Sequence, residues 1–532
     1  MLNSGSILFA FLLGVLLTAA ASWVVASLYR RRMVALMRGG PPPDSAAHEA
    51  SAPLVAETPR LPATMDLAAN QRASMRFMLL LTIMCLLIGL TQSWLELHFV
   101  YTNPEFSLNR ILMLGVVYAW PMVLAWGLAR RWSWLRILAG VSLYLVAMVL
   151  LVMWRSNEQQ DLAGVIVWLA SQVAIPLIIT LFISASGRIR AVAPYLLPPI
   201  ILLTTSSVFT LDILSNATET PPGWIITLVG ILGGTPAILL LAFAPWVLLA
   251  WPVYAMSQRL ATAYRHKRFS DLIYLLGVYW FMVLFTSTLP ALQGAGWGAL
   301  VQMLPWLWIP LAGYSLKGWL APRGNPPTLL VLRVFQRDAQ VKRLFDQVIE
   351  RWRHTGNTVL IAGTDLISRT LDPDELFAYF EGRLAERFVA SESEVPRRIS
   401  ELDLAPDPDG RYRVNDCYCF DTTWRTMLDA LVQKADVVLM DLRGFKEKNA
   451  GCIHELGILA GASHLQRVVL LHDQDTQRPV ADTAVAGAPA GRFQWLDAGQ
   501  LNKAMTTRVL AALFPATRKS TDLSLNDKRS TA

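Results

Sequence analysis

The sequence predicts a polytopic α-helical membrane domain of about nine spans over residues 1–325, followed by a cytoplasmic α/β domain with a mostly parallel sheet over 326–515. Three observations predict it. Apolar residues make up 54% of the 532 and charged residues only 16%, a balance that calls for contact with lipid. Through Arg323 the apolar residues come in runs of about 20, whereas beyond Pro326 they alternate with charges in short strand and helix patterns. Charge divides at the same place: residues 1–325 carry 20 Lys+Arg against 11 Asp+Glu, and residues 326–532 carry 27 against 28.

Hydropathy places the spans at 6–29, 77–99, 111–129, 135–154, 164–185, 193–213, 224–256, 271–291 and 297–316. The first lacks a basic stretch before it and is followed by Arg30, Arg31 and Arg32, so it reads as an uncleaved anchor that starts outside; the small residues Ala19 to Ser22 are the feature that would suit cleavage. Alternating from there puts 30–76, 130–136, 186–192, 257–270 and everything after 317 in the cytoplasm. Those segments hold 18 of the Lys+Arg up to Arg323, and the opposite side holds only Arg110 and Arg155. That asymmetry sets the orientation. The run 224–256 contains Pro236, Pro245 and Pro252 and is read as one broken or tilted span, because two crossings would need about 40 residues and would send the basic YRHKR cluster outside. Residues 39–71, rich in Pro, Ala and Ser, read as a flexible linker, and 516–532 as a disordered tail.

The basic excess belongs to the membrane part, where the partner it implies is the lipid bilayer with its anionic headgroups. No basic patch with interleaved aromatics argues for a nucleic-acid partner. Transport is the weaker reading of the bundle, since Glu96, Asp212 and Asp271 lie near span ends and Gln92 and Gln172 are neutral.

In the second part, TLLVLRVF (328–335), TVLIAG (358–363), DVVLMDL (436–442), RVVLLH (467–472) and FQWL (493–496) read as strands. Helices are expected at 337–356, 372–389, 421–435 with Asp421 as cap, 450–463 and 499–513. Near-continuous apolar strands separated by helices imply a parallel sheet covered on both faces, and ligands of such sheets bind beyond the carboxyl ends of the strands. The segments to watch are therefore FQRD, GTD, DLRGFKEKN and HDQD. With no GxGxxG at the first strand and no GxxxxGK[ST], dinucleotide-fingerprint and P-loop readings are disfavoured.

One constellation stands out. Asp441 ends a strand, Arg443, Lys446 and Lys448 follow in the loop, Asn449 can cap the next helix, and that helix carries Glu455 behind the small Ala450 and Gly451. An anionic ligand could lie at the helix start, with Glu455 facing a cationic sugar carbon. The plain alternative is a glutamate favoured near a helix start, with Asp441 as a turn former. Arg333 and Arg337 could bind phosphate or pair with Asp338. Cys417, Cys419, Cys452 and His454 are spaced too tightly for usual structural zinc sites, and no metal is expected.

The segment Cys452-Ile-His-Glu455-Leu456 resembles the Cys-x-x-Glu-Leu part of the TIR-domain helix that carries an NAD-cleaving glutamate, and VLRVFQRD resembles the TIR opening strand, with Asp338 as its acidic residue. The strand ending at Asp441 with Glu455-Leu456-Gly457 also resembles the nucleoside deoxyribosyltransferase pattern. These resemblances imply a flavodoxin-like/TIR-like sheet, Glu455 as catalytic carboxylate and NAD or another nucleotide as substrate or ligand; the surrounding residues add Asp441, Arg443 and Asn449, with Arg337 and Asp338, as ligand-binding residues, and a membrane part that controls association of the cytoplasmic domains would make the protein a homo-oligomer. The insertion 390–420 departs from both families, Gly451 stands where many TIR domains have tryptophan, and the loop from Asp441 to Glu455 is longer than in deoxyribosyltransferases. The chain as a whole resembles bacterial multi-span proteins with an LRxFxRD start and an AGCxxEL helix, which implies the bacterial inner (plasma) membrane. The expected function is a membrane-anchored nucleotide-binding or NAD/nucleoside N-glycosidase-like effector or sensor. Its alternatives are a noncatalytic sensory or interaction protein and a transporter with a regulatory domain.

Overall fold

The computed structural model describes residues 4–39, 63, 65–100, 107–155, 161–184, 187–216, 222–334, 343–363, 373–489, 491–499 and 501–514. Most of the linker, the tail, Arg337, Asp338 and the greater part of FQRD and GTD lie outside them.

The helical region comprises α1 (Ser4–Gly39), α2 (Leu67–Leu95), α3 (Leu108–Tyr118), α4 (Pro121–Ala129), α5 (Trp134–Arg155), α6 (Leu162–Ser184), α7 (Gly187–Asn216), α8 (Gly223–Leu232), α9 (Gly234–Arg265) and α10 (Asp271–Ala295). Among the described residues eight helical stretches, with α3 and α4 counted together, are long and apolar enough to cross a membrane. This marks a multi-pass membrane protein. Side chains such as Leu143, Val247 and Trp251 are more than 70% exposed, an apolar surface that a water-facing protein would not present.

Four boundaries differ from the sequence reading. Helix α1 continues to Gly39 rather than ending near 29, because Tyr29 and Met33 are buried against the α/β domain. The expected linker loses its end, residues 67–71, to α2, whose start is capped by Asp66 accepting from the Ala68 N–H at 2.9 Å. The run 224–256 divides at Gly233, whose φ of +84° suits glycine, into α8 and a 32-residue α9 that passes through Pro245 and Pro252. The expected last span, 297–316, is a 3-10 segment, Gly296–Leu307, running into α11 (Trp308–Ser315) and α12 (Lys317–Leu320). Indole N–H groups pin it: Trp306 donates to the Gly277 carbonyl at 2.8 Å and Trp308 to Thr91 Oγ1 at 2.9 Å.

The α/β domain has seven parallel strands: β1 (Thr328–Arg333), β2 (Asn357–Ile361), β3 (Phe388–Val389), β4 (Val414–Cys419), β5 (Val437–Asp441), β6 (Arg467–His472) and β7 (Phe493–Asp497), in the order β3-β4-β2-β1-β5-β6-β7. A π-helical turn, Phe345–Ile349, leads into α13 (Glu350–Trp352); then come α14 (Pro373–Phe380), α15 (Val395–Ser400), α16 (Trp424–Lys434), α17 (Ala450–Gly461), α18 (Arg478–Ala484) and α19 (Lys503–Leu513). Strand alternation divides the core. Leu329, Val331, Val437 and Leu439 pack on one face with Trp352, Leu510 and the tail of α1, and Leu330, Leu332, Val438 and Met440 on the other with α16 and α17. The helix expected over 372–389 is only Pro373–Phe380, followed by a 3-10 turn and β3. The helix expected from Asp421 begins at Trp424, because Thr423 takes the cap position, its hydroxyl donating to Val389 O at 2.9 Å.

Candidate functional site

The chain leaves β1 toward β2 and β5 toward β6, so the crevice between the carboxyl ends of β1 and β5 is the topological switch point, where ligands of doubly wound sheets bind. Arg333 and Asp441 are register partners there, at the last residues of the two strands. Arg333 is buried and donates to the Ile361 carbonyl at 3.3 Å.

Asp441 and Arg443 occupy one another. The guanidinium forks onto the carboxylate, Nε to Oδ1 at 2.7 Å and Nη2 to Oδ2 at 2.5 Å, and the Arg443 N–H adds a bond to Oδ1 at 3.2 Å. Both residues are buried. This bidentate pair closes the turn after β5 and aims the loop that follows. Gly444, at φ +72°, donates its N–H to Asp473 Oδ1 at 2.8 Å, which ties the turn to the loop after β6. Lys446 and Lys448 are exposed. Asn449 precedes α17, yet its side chain does not cap the helix as expected: its Oδ1 accepts the Lys446 N–H at 2.8 Å and closes the loop instead.

Glu455 sits in the second turn of α17, on the inward side with Cys452, Leu456 and Leu459, and is 7% exposed. The helix-start reading requires a solvated carboxylate in the first turn, where the dipole acts; a buried one is a different object. Burial raises its carboxyl to about 8, with the charge of Arg333 and a hydrogen bond from the Cys452 thiol pulling partly the other way. Its Oε2 has no hydrogen-bond partner among the described residues. Burying a carboxyl oxygen without a partner costs free energy that packing has to offset, and such groups concentrate where chemistry or binding happens. A carboxyl neutral at pH 7 donates a proton or a hydrogen bond; beside a cationic ligand it would ionise.

Around it, Trp424 at the start of α16 stands edge-on to His454, ring centres 5.7 Å apart, and a side chain at Gly451 would come within 4.0 Å of the same indole. The tryptophan beside Gly451 thus comes from a neighbouring helix. Cys417 and Cys452 lie in the layer under α16 and α17, and burial raises the Cys417 thiol to about 12, so it is not a thiolate. Among the described residues no three His, Cys, Asp or Glu side chains converge as a metal site. Sequence reading missed two features: Cys452 as a partner of Glu455, legible only as helical i, i+3 spacing, and the charged junction with the helical region. The latter was signalled by PDPDGRYR, which sets two acidic and then two basic residues at alternate positions, Asp407, Asp409, Arg411 and Arg413, and by the basic YRHKR turn. Comparison of the chain with protein-family models, with curated proteins and with solved structures finds no match.

Proposed function

We propose that this is a bacterial inner-membrane protein, its N-terminus outside and its α/β domain cytoplasmic, that binds a nucleotide or nucleoside in the β1/β5 crevice and uses Glu455 on the bond between ribose and base. The single observation that carries the reading is a buried, incompletely partnered carboxyl at the topological switch point. With a neutral base, the proton of Glu455 passes to the departing base nitrogen, which keeps the electron pair of the broken C1′–N bond. Water adds to C1′, and its surplus proton restores the carboxyl. With a base that is cationic while bonded, such as the nicotinamide ring of NAD, the base leaves neutral with the electron pair and needs no proton; the ionised Glu455 stabilises the cationic sugar carbon, and the surplus proton of the water that adds passes through Glu455 to solvent. The topology is supported by the return of the chain after α10: twelve 3-10 residues and the eight of α11 reach about 36 Å, enough for a ninth crossing.

The test is the purified full chain in detergent with NAD and with nucleosides: free base is released, and release disappears in Glu455→Gln. Tight nucleotide binding without release would favour a second reading, a noncatalytic sensory protein, which the extensive charged junction between bundle and domain favours.

A further inference from the structure

Two zones join the helical region to the α/β domain, and they differ in kind. One is apolar. Ala26 of α1 and Val192 of α7 enclose Leu376 of α14, while Ala261 and Tyr264 of α9 enclose Phe377. Glu375 between them is satisfied on both oxygens, by the hydroxyls of Tyr29 at 3.0 Å and Tyr418 at 2.6 Å.

The other zone is ionic. Asp271, opening α10, accepts from Arg411 Nη2 at 2.8 Å and lies 3.5 Å from Arg353 Nη2. Arg131, in the turn after α4, donates to Glu350 at 2.9 Å, and the Ser270 hydroxyl donates to Asp409 at 2.7 Å. Arg411 also bonds Asp409 at 2.9 Å and lies 3.4 Å from Glu350, so the two parts share one cluster. Arg353, Asp409 and Arg411 are all at least 94% buried.

Such a cluster is poor glue. Each ion gives up its hydration on docking, mutual attraction does little more than offset that loss, and apolar side chains of the same volume would hold as well or better. What ions add is reversibility, because on separation each regains water whereas apolar surface does not. We propose that the α/β domain has a docked and a released position, pivoting on the apolar zone at α1, α7 and α14, with the Asp271–Arg411–Glu350–Arg131 cluster as the latch. Two further features sit at the latch. The connection from α12 to β1, residues 321–327, is non-helical, with Gly324 at φ +91° and Pro322, Pro326 and Pro327. The π-helical turn Phe345–Ile349 directly precedes Glu350 and Arg353, and such turns are frequent at functional sites.

Hydrogen exchange on the full chain in lipid nanodiscs tests this, independently of any reaction at Glu455. Arg131→Gln and Asp271→Asn alter only the helical side, leaving every α/β residue in place. Each is expected to raise amide exchange in 350–356 and 403–413 by about tenfold or more, with β5, β6 and 373–380 at wild-type rates. Tyr29→Phe is expected to raise exchange at 373–380 and not at 403–413. Unchanged exchange at 403–413 in both latch variants overturns the proposal. So does a rise that spreads equally to β5 and β6, which would make the cluster a requirement for folding. Should Asp271→Asn fail to fold, Arg131→Gln carries the test, because its side chain is 30% exposed.

Discussion

Glu455 has neighbours that disagree about its charge: the apolar layer around it disfavours the anion, while Arg333 and the Cys452 thiol favour it, and the layer wins, lifting the carboxyl to about 8. A folded value above the ordinary 4.5 means that the stabilising contribution of the protonated group is fully present below pH 4.5 and is lost as pH rises through 8. Glutamine keeps the shape without the titration. Glu455→Gln is therefore expected to stabilise the α/β domain at pH 8.5 by on the order of 2 kcal/mol and to gain nothing at pH 4, measured as exchange protection of the β5 amides. Destabilisation at pH 8.5 would mean that Arg333 and the Cys452 thiol hold the carboxylate more strongly than burial opposes it. At Asp441 the expectation runs the other way. Arg443→Ala strands a buried carboxylate and is expected to cost roughly 3–5 kcal/mol, whereas a phosphate in the crevice would have to share Arg443 with Asp441. A loss of ligand affinity in Arg443→Lys with thermal stability unchanged would separate binding from turn closure.

Among the elements, β1, β5 and β6 were legible because strands buried on both faces read as unbroken apolar runs. β4, VNDCYC, was not: its first three residues are only partly buried, so its pattern is that of a polar loop. β3 has two residues and no pattern at all. Both fall in or beside the insertion 390–420, which also meets the helical region: Asp403 pairs with Lys267, and in the turn Asp407–Arg413 the Arg413 side chain donates to the Tyr264 carbonyl at 2.8 Å. The departure from the TIR and deoxyribosyltransferase patterns thus supplies part of the docking surface, which α14 and Glu350 complete. Gly410 is its tightest point. It sits at φ +78°, and a Cβ there would collide with the Leu320 carbonyl oxygen. Gly410→Ala is expected to loosen the junction by at least about 1 kcal/mol, from the left-handed backbone alone. Faster cleavage of 321–327 by added protease is the readout, and cleavage at the wild-type rate would show that the turn relaxes without loss.

For the whole molecule, charge and packing point to the same end of the bundle. Charge counting assigned 30–76, 130–136, 186–192, 257–270 and the residues after 317 to one side. The described parts of those segments lie at the end of the bundle that meets the α/β domain: Met33 packs on its core, Asn70 donates to the Arg351 carbonyl at 2.8 Å, Arg131 pairs with Glu350, Val192 packs on Leu376, and Arg265 pairs with Asp374. The two overlap, because Arg131 and Arg265 are counted in the charge bias and also pair with the α/β domain, and since that domain packs on this end, the orientation of the bundle and the compartment of Glu455 stand or fall together. A membrane-impermeant maleimide on intact cells decides it. With Arg110→Cys the chain is expected to label at once, since Arg110 opens α3 at the far end; with Arg268→Cys it is expected to label only after permeabilisation. The reverse order would place the α/β domain outside, away from cytoplasmic nucleotides, and would remove NAD from the substrates that Glu455 could meet.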